Sequence, residues 1–202
     1  AEQAPSVVGR EVEAVQQVER PLAVRGDDPA VREKNLGIWQ EWTWRQVDDE
    51  VRAIACGLAA QGFGRGMHLA IVGDNRPRLY FAMAAAQALG GIPVPMYQDA
   101  PAAEFVYVLN DAAIVYAVVE DQEQVDKLIE AAPQVGTLRH IYYDDPRGLR
   151  NYEGILSLDV LQRIGREFEA DNPGFVEREI AKGSPEDVAI ICYTSGTTGN
   201  PK

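Results

Sequence analysis

The sequence predicts an α/β fold: a mostly parallel sheet with flanking helices. Short apolar runs alternate with segments whose apolar residues recur every three or four positions, the pattern of strands joined by amphipathic helices. The run at residues 188–192 is apolar throughout instead of at every second position, as a parallel strand covered on both faces should be. Glycine and proline punctuate the junctions, so element ends are legible.

Residues 1–28 have weak periodicity and read as an N-terminal arm ahead of one α/β unit over 29–202. Extended segments at 30–33 and 38–42 flank Asn35-Leu36-Gly37, whose Asn and Gly suit the positive φ of a hairpin turn. Trp39, Trp42 and Trp44 are expected to pack there instead of stacking on a ligand. Thr43 opens a helix with Gln46 as its capping-box partner, and Val47, Val51, Ile54 and Leu58 mark one buried face up to a C-cap at Gly62. The glycines of Gly62-Phe63-Gly64-Arg65-Gly66 follow a helix and precede a strand, the reverse of a dinucleotide fingerprint, so they form a turn.

Residues 68–72 are a strand, and Asn75 with Pro77 starts a helix over 78–89 that is apolar nearly all round and therefore buried. Pro93 and Pro95 suit an edge or an irregular position for the strand at 92–96. A helix from Pro101 buries Phe105, Val108, Leu109 and Ala112, and a strand follows at 114–119. The helix capped by Asp121 turns Val125, Leu128 and Ile129 inward until Pro133 stops it, and 138–143 returns as a strand. Residues 144–187 are mostly polar, with one amphipathic helix after Ser157, and read as a surface excursion before the last strand.

Nineteen basic against 31 acidic residues leave a net charge of −12. That charge repels nucleic acid and anionic lipid, so a nucleic-acid role is excluded and the partners are small molecules. No apolar stretch has the length of a membrane span and the acidic start does not read as a secretory signal, so the expected location is cytoplasmic, in solution or peripheral to a membrane. Cys56 and Cys192 read as two buried small hydrophobes, and His68 and His140 as structural. Asp48-Asp49-Glu50 reads as a solvated helix face, and Tyr97, Gln98 and Asp99 follow a strand where they could line a crevice, although capping the next helix accounts for Asp99 equally well.

The chemistry is concentrated in Tyr193-Thr194-Ser195-Gly196-Thr197-Thr198-Gly199-Asn200-Pro201-Lys202. Gly196 and Gly199 let backbone N–H groups converge on an anion, Thr194, Ser195, Thr197 and Thr198 add hydroxyl donors, and Lys202 brings a full charge. The loop is not a Walker A motif, since two residues instead of four separate the glycines and Asn200-Pro201 precede the lysine.

This string resembles the phosphate-loop signature of the adenylate-forming superfamily: acyl-CoA synthetases, luciferases and the adenylation domains of peptide synthetases. Three further stretches match in the right order: Trp42 to Val47, Gln87 to Pro95, and Phe105 to Asp111. Arg32 to Trp39 and the Pro93 to Tyr97 strand further resemble bacterial long-chain acyl-CoA synthetases. The resemblance implies the N-terminal part of a longer ligase that uses ATP, Mg²⁺ and CoA on a carboxylic acid. In it Thr194, Ser195, Gly196, Thr197, Thr198, Gly199 and Lys202 hold the β- and γ-phosphates, with Thr194 nearest the metal and Lys202 and Thr194 the catalytic pair. The 202 residues alone are expected to make no acyl-adenylate. A peptide-synthetase-type adenylation domain and a non-catalytic phosphate-binding or assembly unit are the alternatives.

Overall fold

Leu36 and Gly37 both have positive φ, +48° and +83°, which is the geometry of a two-residue hairpin turn. A computed structural model describes residues 24–194, and the chain divides into two compact units at Asp49/Glu50. In the first, β1 (Pro29–Asn35) pairs antiparallel with β2 (Ile38–Thr43). The left-handed residue is Leu36 where the sequence suggested Asn35, because Asn35 pairs with Ile38 and leaves only two residues to reverse the chain. Trp39 is largely exposed, with the Arg32 guanidinium 5.5 Å above its ring, so it does not pack inside as expected. The capping box forms as read: Gln46 N–H donates to Thr43 Oγ1 (3.3 Å) and Thr43 N–H to Gln46 Oε1 (2.8 Å). It opens α1 (Trp44–Ala60).

The second unit holds a five-stranded, all-parallel sheet in the order β4-β3-β5-β6-β7. Its strands are β3 (His68–Val72), β4 (Ile92–Met96), β5 (Tyr116–Val119), β6 (His140–Tyr143) and β7 (Ile155–Ser157). The joining helices are α2 (Pro77–Ala88), α3 (Ala102–Asp111) and α4 (Gln122–Ala131), followed by α5 (Leu158–Asp171) and α6 (Phe175–Ile180). Alternate strand residues face opposite layers. Ala70, Val72, Val94, Ala117 and Val119 pack with Phe105, Leu109, Val125 and Leu128 of α3 and α4. On the other face the Tyr116 hydroxyl donates to Gln61 O just after α1 (2.8 Å), and its ring meets Phe63 edge-on at 5.3 Å. Helices therefore cover both faces, as the apolar strands required.

Several local expectations are corrected. Residues 144–187 are no surface excursion: β7 extends the sheet, and α5, capped by Ser157 Oγ accepting from Val160 N–H, buries Leu158 and Leu161. Polar composition misled because the segment is held by ionic ties. Arg78 of α2 donates to Asp144, Asp159 and Gln162 at 2.7, 2.7 and 3.0 Å, and Gln162 donates on to Glu50, so Glu50 is no solvated charge. Helix α1 is buried all round at residues 53–58, because Gly57 and Gly165 let α5 approach its backbone. Asn75 does not cap α2; Arg76 holds that position and Asn75 Oδ1 accepts from the Tyr80 hydroxyl. Ile129 lies substantially exposed on α4.

The expected core strand at 188–192 is absent. Ile191 N–H donates to Pro93 O (3.1 Å), and Val188 and Ile190 remain exposed. The cause lies in β4. Ile92 N–H points to β3, where Met67 O accepts it, so residues 93 and 95 face the outer edge, and both are prolines with no donor to offer. Cys192 is consequently exposed, while Cys56 is buried as predicted.

Candidate functional site

The chain crosses over at the carboxyl ends of the strands. The connection leaving β3 runs through α2 to β4, whereas those leaving β4 and β5 run through α3 and α4 on the other face. Open α/β sheets bind ligands at such a divergence. Here Glu120, at the end of β5, closes the gap between β3 and β5. Its carboxylate accepts from Asp74 N–H (2.6 Å) and from Arg76 Nε (2.7 Å). Asp74 Oδ1 in turn accepts from Gln98 Nε2 (2.9 Å), and Lys127 donates to Gln98 O. This frame walls a crevice of about 400 Å³ on the β4 side, lined by Gly73, Asp74, Asn75, Tyr97, Gln98 and Asp99 with Cys192 and Tyr193 opposite.

The volume falls within the range of small-molecule sites. Asp99 does not cap α3, whose N-cap is Pro101, and so its place in the crevice wall is unshared with that duty. Among the described residues lining it, Asp74 and Asp99 are acidic and none is Lys or Arg. The nearest described cations, Arg76 and Lys127, belong to the frame behind the lining, where they bond Glu120 and Gln98 O.

The chain leading to Tyr193 is delivered to the crevice by a series of contacts. Arg65 pairs with Asp187 (2.6 Å), Gln87 Nε2 donates to Ala189 O (2.8 Å), and the Tyr193 hydroxyl donates to Asp111 Oδ2 (2.6 Å). Of the residues expected to hold phosphate, Thr194 is described and exposed, directly after Tyr193. Ser195, Gly196, Thr197, Thr198, Gly199 and Lys202 lie outside the described residues, as does most of the proposed N-terminal arm. No cluster of three or more metal-ligating side chains exists among the described residues. Sequence reading missed Glu120 and Asp74, and missed the tie of Asp111 to Tyr193 although Asp111 lies in the matched Phe105 to Asp111 stretch, because these partners meet only through the fold. It placed Tyr97, Gln98 and Asp99 correctly.

The two histidines are structural, as read: His68 Nδ1 lies 2.5 Å from Ala112 O, and His140 stacks on Tyr116 at 4.6 Å. The two thiols differ sharply. Burial pushes Cys56 up to about 11, Glu169 adding to the rise and Arg52 opposing it. At pH 7 that leaves about one thiol in 10⁴ as the reactive thiolate. Native labelling with iodoacetamide, read by peptide mass spectrometry, is therefore expected to modify Cys192 and to spare Cys56 until the protein is unfolded. Equal labelling of the two would contradict this placement.

Sheet topology defines a doubly wound α/β domain with a crevice at the strand carboxyl edge. The chain belongs to the AMP-binding enzyme family, which matches over residues 18–202. It is 27% identical over 197 residues to long-chain-fatty-acid–CoA ligase 5 of Rattus norvegicus, an alignment covering 91% of this chain and 28% of that protein. It is 28% identical over 166 residues to the long-chain-fatty-acid–CoA ligase FadD15 of Mycobacterium bovis, covering 82% of this chain and 26% of that one. Among solved structures, the anthranilate CoA ligase AuaEII in complex with anthranoyl-AMP superposes with a TM-score of 0.77 at 26% identity, over 93% of this chain and 33% of that chain. The chain thus spans roughly a quarter to a third of the length of these relatives. Among the described residues, no helix is long and apolar enough to cross a membrane.

Proposed function

We propose that these residues are the phosphate-holding part of a cytoplasmic ligase of the relatives' length, which converts a long-chain fatty acid to acyl-adenylate and then to acyl-CoA. The observation that carries this reading is positional. Cys192 and Tyr193 line the crevice at the strand carboxyl ends, so the hydroxyl- and glycine-rich string begins where an open α/β sheet binds its ligand.

In the first half-reaction a carboxylate oxygen attacks the α-phosphorus of ATP and the bond to pyrophosphate breaks. No general base is needed, because a carboxylic acid with a pKa near ~4 to 5 is ionised at neutral pH. The demand is to align two anions and to stabilise charge on the departing pyrophosphate. Thr194, Ser195, Gly196, Thr197, Thr198 and Gly199 supply donors to the β- and γ-phosphates, and Lys202 supplies a cation to neutralise them. Mg²⁺ would add charge neutralisation at those oxygens. Thr194 would offer it one hard oxygen. In the second half-reaction the CoA sulfur attacks the acyl carbonyl and AMP departs with the bonding electrons.

The fatty-acid assignment draws on the ligases of rat and M. bovis, named for long-chain acids. A second reading, an aromatic acid, is favoured by the likeness to AuaEII. Each methylene buried in an apolar tunnel favours binding by about 0.8 kcal/mol, so a long-chain enzyme gains specificity with length until its tunnel is full. Acyl-CoA formation by the full-length enzyme is measured across acetate, octanoate, palmitate, anthranilate and amino acids. The highest kcat/KM is expected with palmitate. A maximum at anthranilate selects the aromatic reading, and a maximum at an amino acid selects a peptide-synthetase-type domain. Nucleotide binding without product from any acid selects a non-catalytic role.

A further inference from the structure

We propose that the bond between the Tyr193 hydroxyl and the Asp111 carboxylate is a positioning contact that sets where the chain enters the phosphate loop. The proposal rests on the reading above and deepens it, since it adds residues of the described fold to a step otherwise assigned to the loop. Neither residue is placed in contact with ATP; both act through Thr194.

Tyr193 is tied on two sides. Its ring lines the crevice, and it also lines the neighbouring gap against α3 beside Ala100, Glu104 and Val108. Its hydroxyl donates to Asp111 Oδ2 at 2.6 Å. Burial first, and the Asp111 carboxylate second, push the hydroxyl pKa upward, so it remains a donor across the working pH range.

Asp111 gains little as a helix residue. It ends α3, where a negative charge opposes the helix dipole, and the last turn of α3 contains no basic residue. Its hydrogen bond to Tyr193 gives that carboxylate a compensating partner. The end of α3 is a firm anchor, because Asn110 Nδ2 donates both to Val106 O (2.9 Å) and to Gln134 O (3.0 Å). Upstream, Ile191 N–H is held by Pro93 O. One residue, Cys192, separates that contact from the Tyr193 anchor. With the hydroxyl bond gone, the ring can rotate and Thr194 can shift. A displacement of about 1 Å at a reacting group costs up to about 10²-fold in rate.

The test is a double-mutant cycle in the full-length enzyme, with Tyr193→Phe, Asp111→Ala and the pair, plus Asp111→Asn, which keeps an acceptor. Carboxylate-dependent ATP–pyrophosphate exchange and thiolysis of supplied acyl-adenylate are followed separately. Each of the first two variants is expected to raise KM for ATP and slow exchange about tenfold or more, the pair to lose no more than either alone, and Asp111→Asn to recover most of the rate. Thiolysis stays within about twofold, and far-UV circular dichroism is unchanged. Additive losses, unchanged exchange, or equal loss in both half-reactions overturn the inference. Should the wild-type enzyme activate no acid, the proposed function fails by itself. Amide hydrogen exchange at residues 192–194 then decides the pair: faster exchange in Tyr193→Phe sustains it, and unaltered protection overturns it.

Discussion

Lys202→Ala in the full-length enzyme is expected to slow formation of acyl-adenylate about 10²- to 10³-fold while leaving thiolysis of supplied acyl-adenylate nearly intact. Pyrophosphate departs in the first half-reaction only, so a cation that neutralises it has nothing to stabilise in the second. The size follows from where the other charges lie. The described lining contributes Asp74 and Asp99, and the nearby Arg76 and Lys127 are engaged with Glu120 and Gln98 O, so neither is free to take over the role of the lost ammonium. Thr194→Ala is expected to act in the same direction with a smaller loss, about tenfold, because it removes a neutral donor rather than a full charge. Lys202→Arg keeps the charge but not the compact ammonium, and should fall between. Rapid-quench measurement of the two half-reactions checks all three. Equal loss in both steps would mean that the string has a structural role alone.

Gly165→Ala is expected to destabilise the fold by about 3 kcal/mol, the upper part of the range for overpacked interiors. A Cβ at Gly165 would lie 1.9 Å from Ala53 O and 2.7 Å from Gly57 N, and one at Gly57 would lie 2.3 Å from Leu161 O. The two glycines thus let the backbones of α1 and α5 touch, and main chain cannot rotate away as a side chain does. Alanine's better helix propensity returns only about 1 kcal/mol, so the clash wins. Separating the helices would also loosen Gln162 from Glu50 and the buried side chains of Ile54, Leu58 and Leu161. Gly64→Ala is the control, since a Cβ there meets nothing within 4 Å, and it should stay within about 0.5 kcal/mol of wild type. Urea unfolding midpoints measure both. A Gly165→Ala protein as stable as wild type would refute the close crossing.

The elements that were legible in the sequence are those whose signal is local. Thr43 with Gln46, Ser157 and Asp121 cap their helices through bonds spanning three residues, and alternating helix and strand patterns were enough for a parallel sheet with helices on both sides. Proline's missing donor narrowed β4 to an edge or an irregular position, and the sheet order makes it an edge. The family was legible in the string at residues 193–202, through its resemblance to the adenylate-forming signature, and the AMP-binding match over residues 18–202 bears out that family reading.

Distant pairings had no such signal. Nothing near Glu120 foretells Asp74 and Arg76, 46 and 44 residues away, and nothing near Asp111 foretells Tyr193, 82 residues on. Hydrophobic content at 188–192 argued for a core strand, yet pairing needs donors and acceptors on the facing edge, and Pro93 and Pro95 withhold the donors. Polar content at 144–187 argued for a surface excursion, yet Arg78 and the glycine crossing draw α5 onto the sheet. The sequence by itself determined the class of fold and the helix caps at Thr43 and Asp121, set by residues within a few positions of one another. Only the tertiary structure decided which strand edge receives residues 188–193, which carboxylates frame the crevice and what anchors Tyr193, because each depends on groups brought together across the chain.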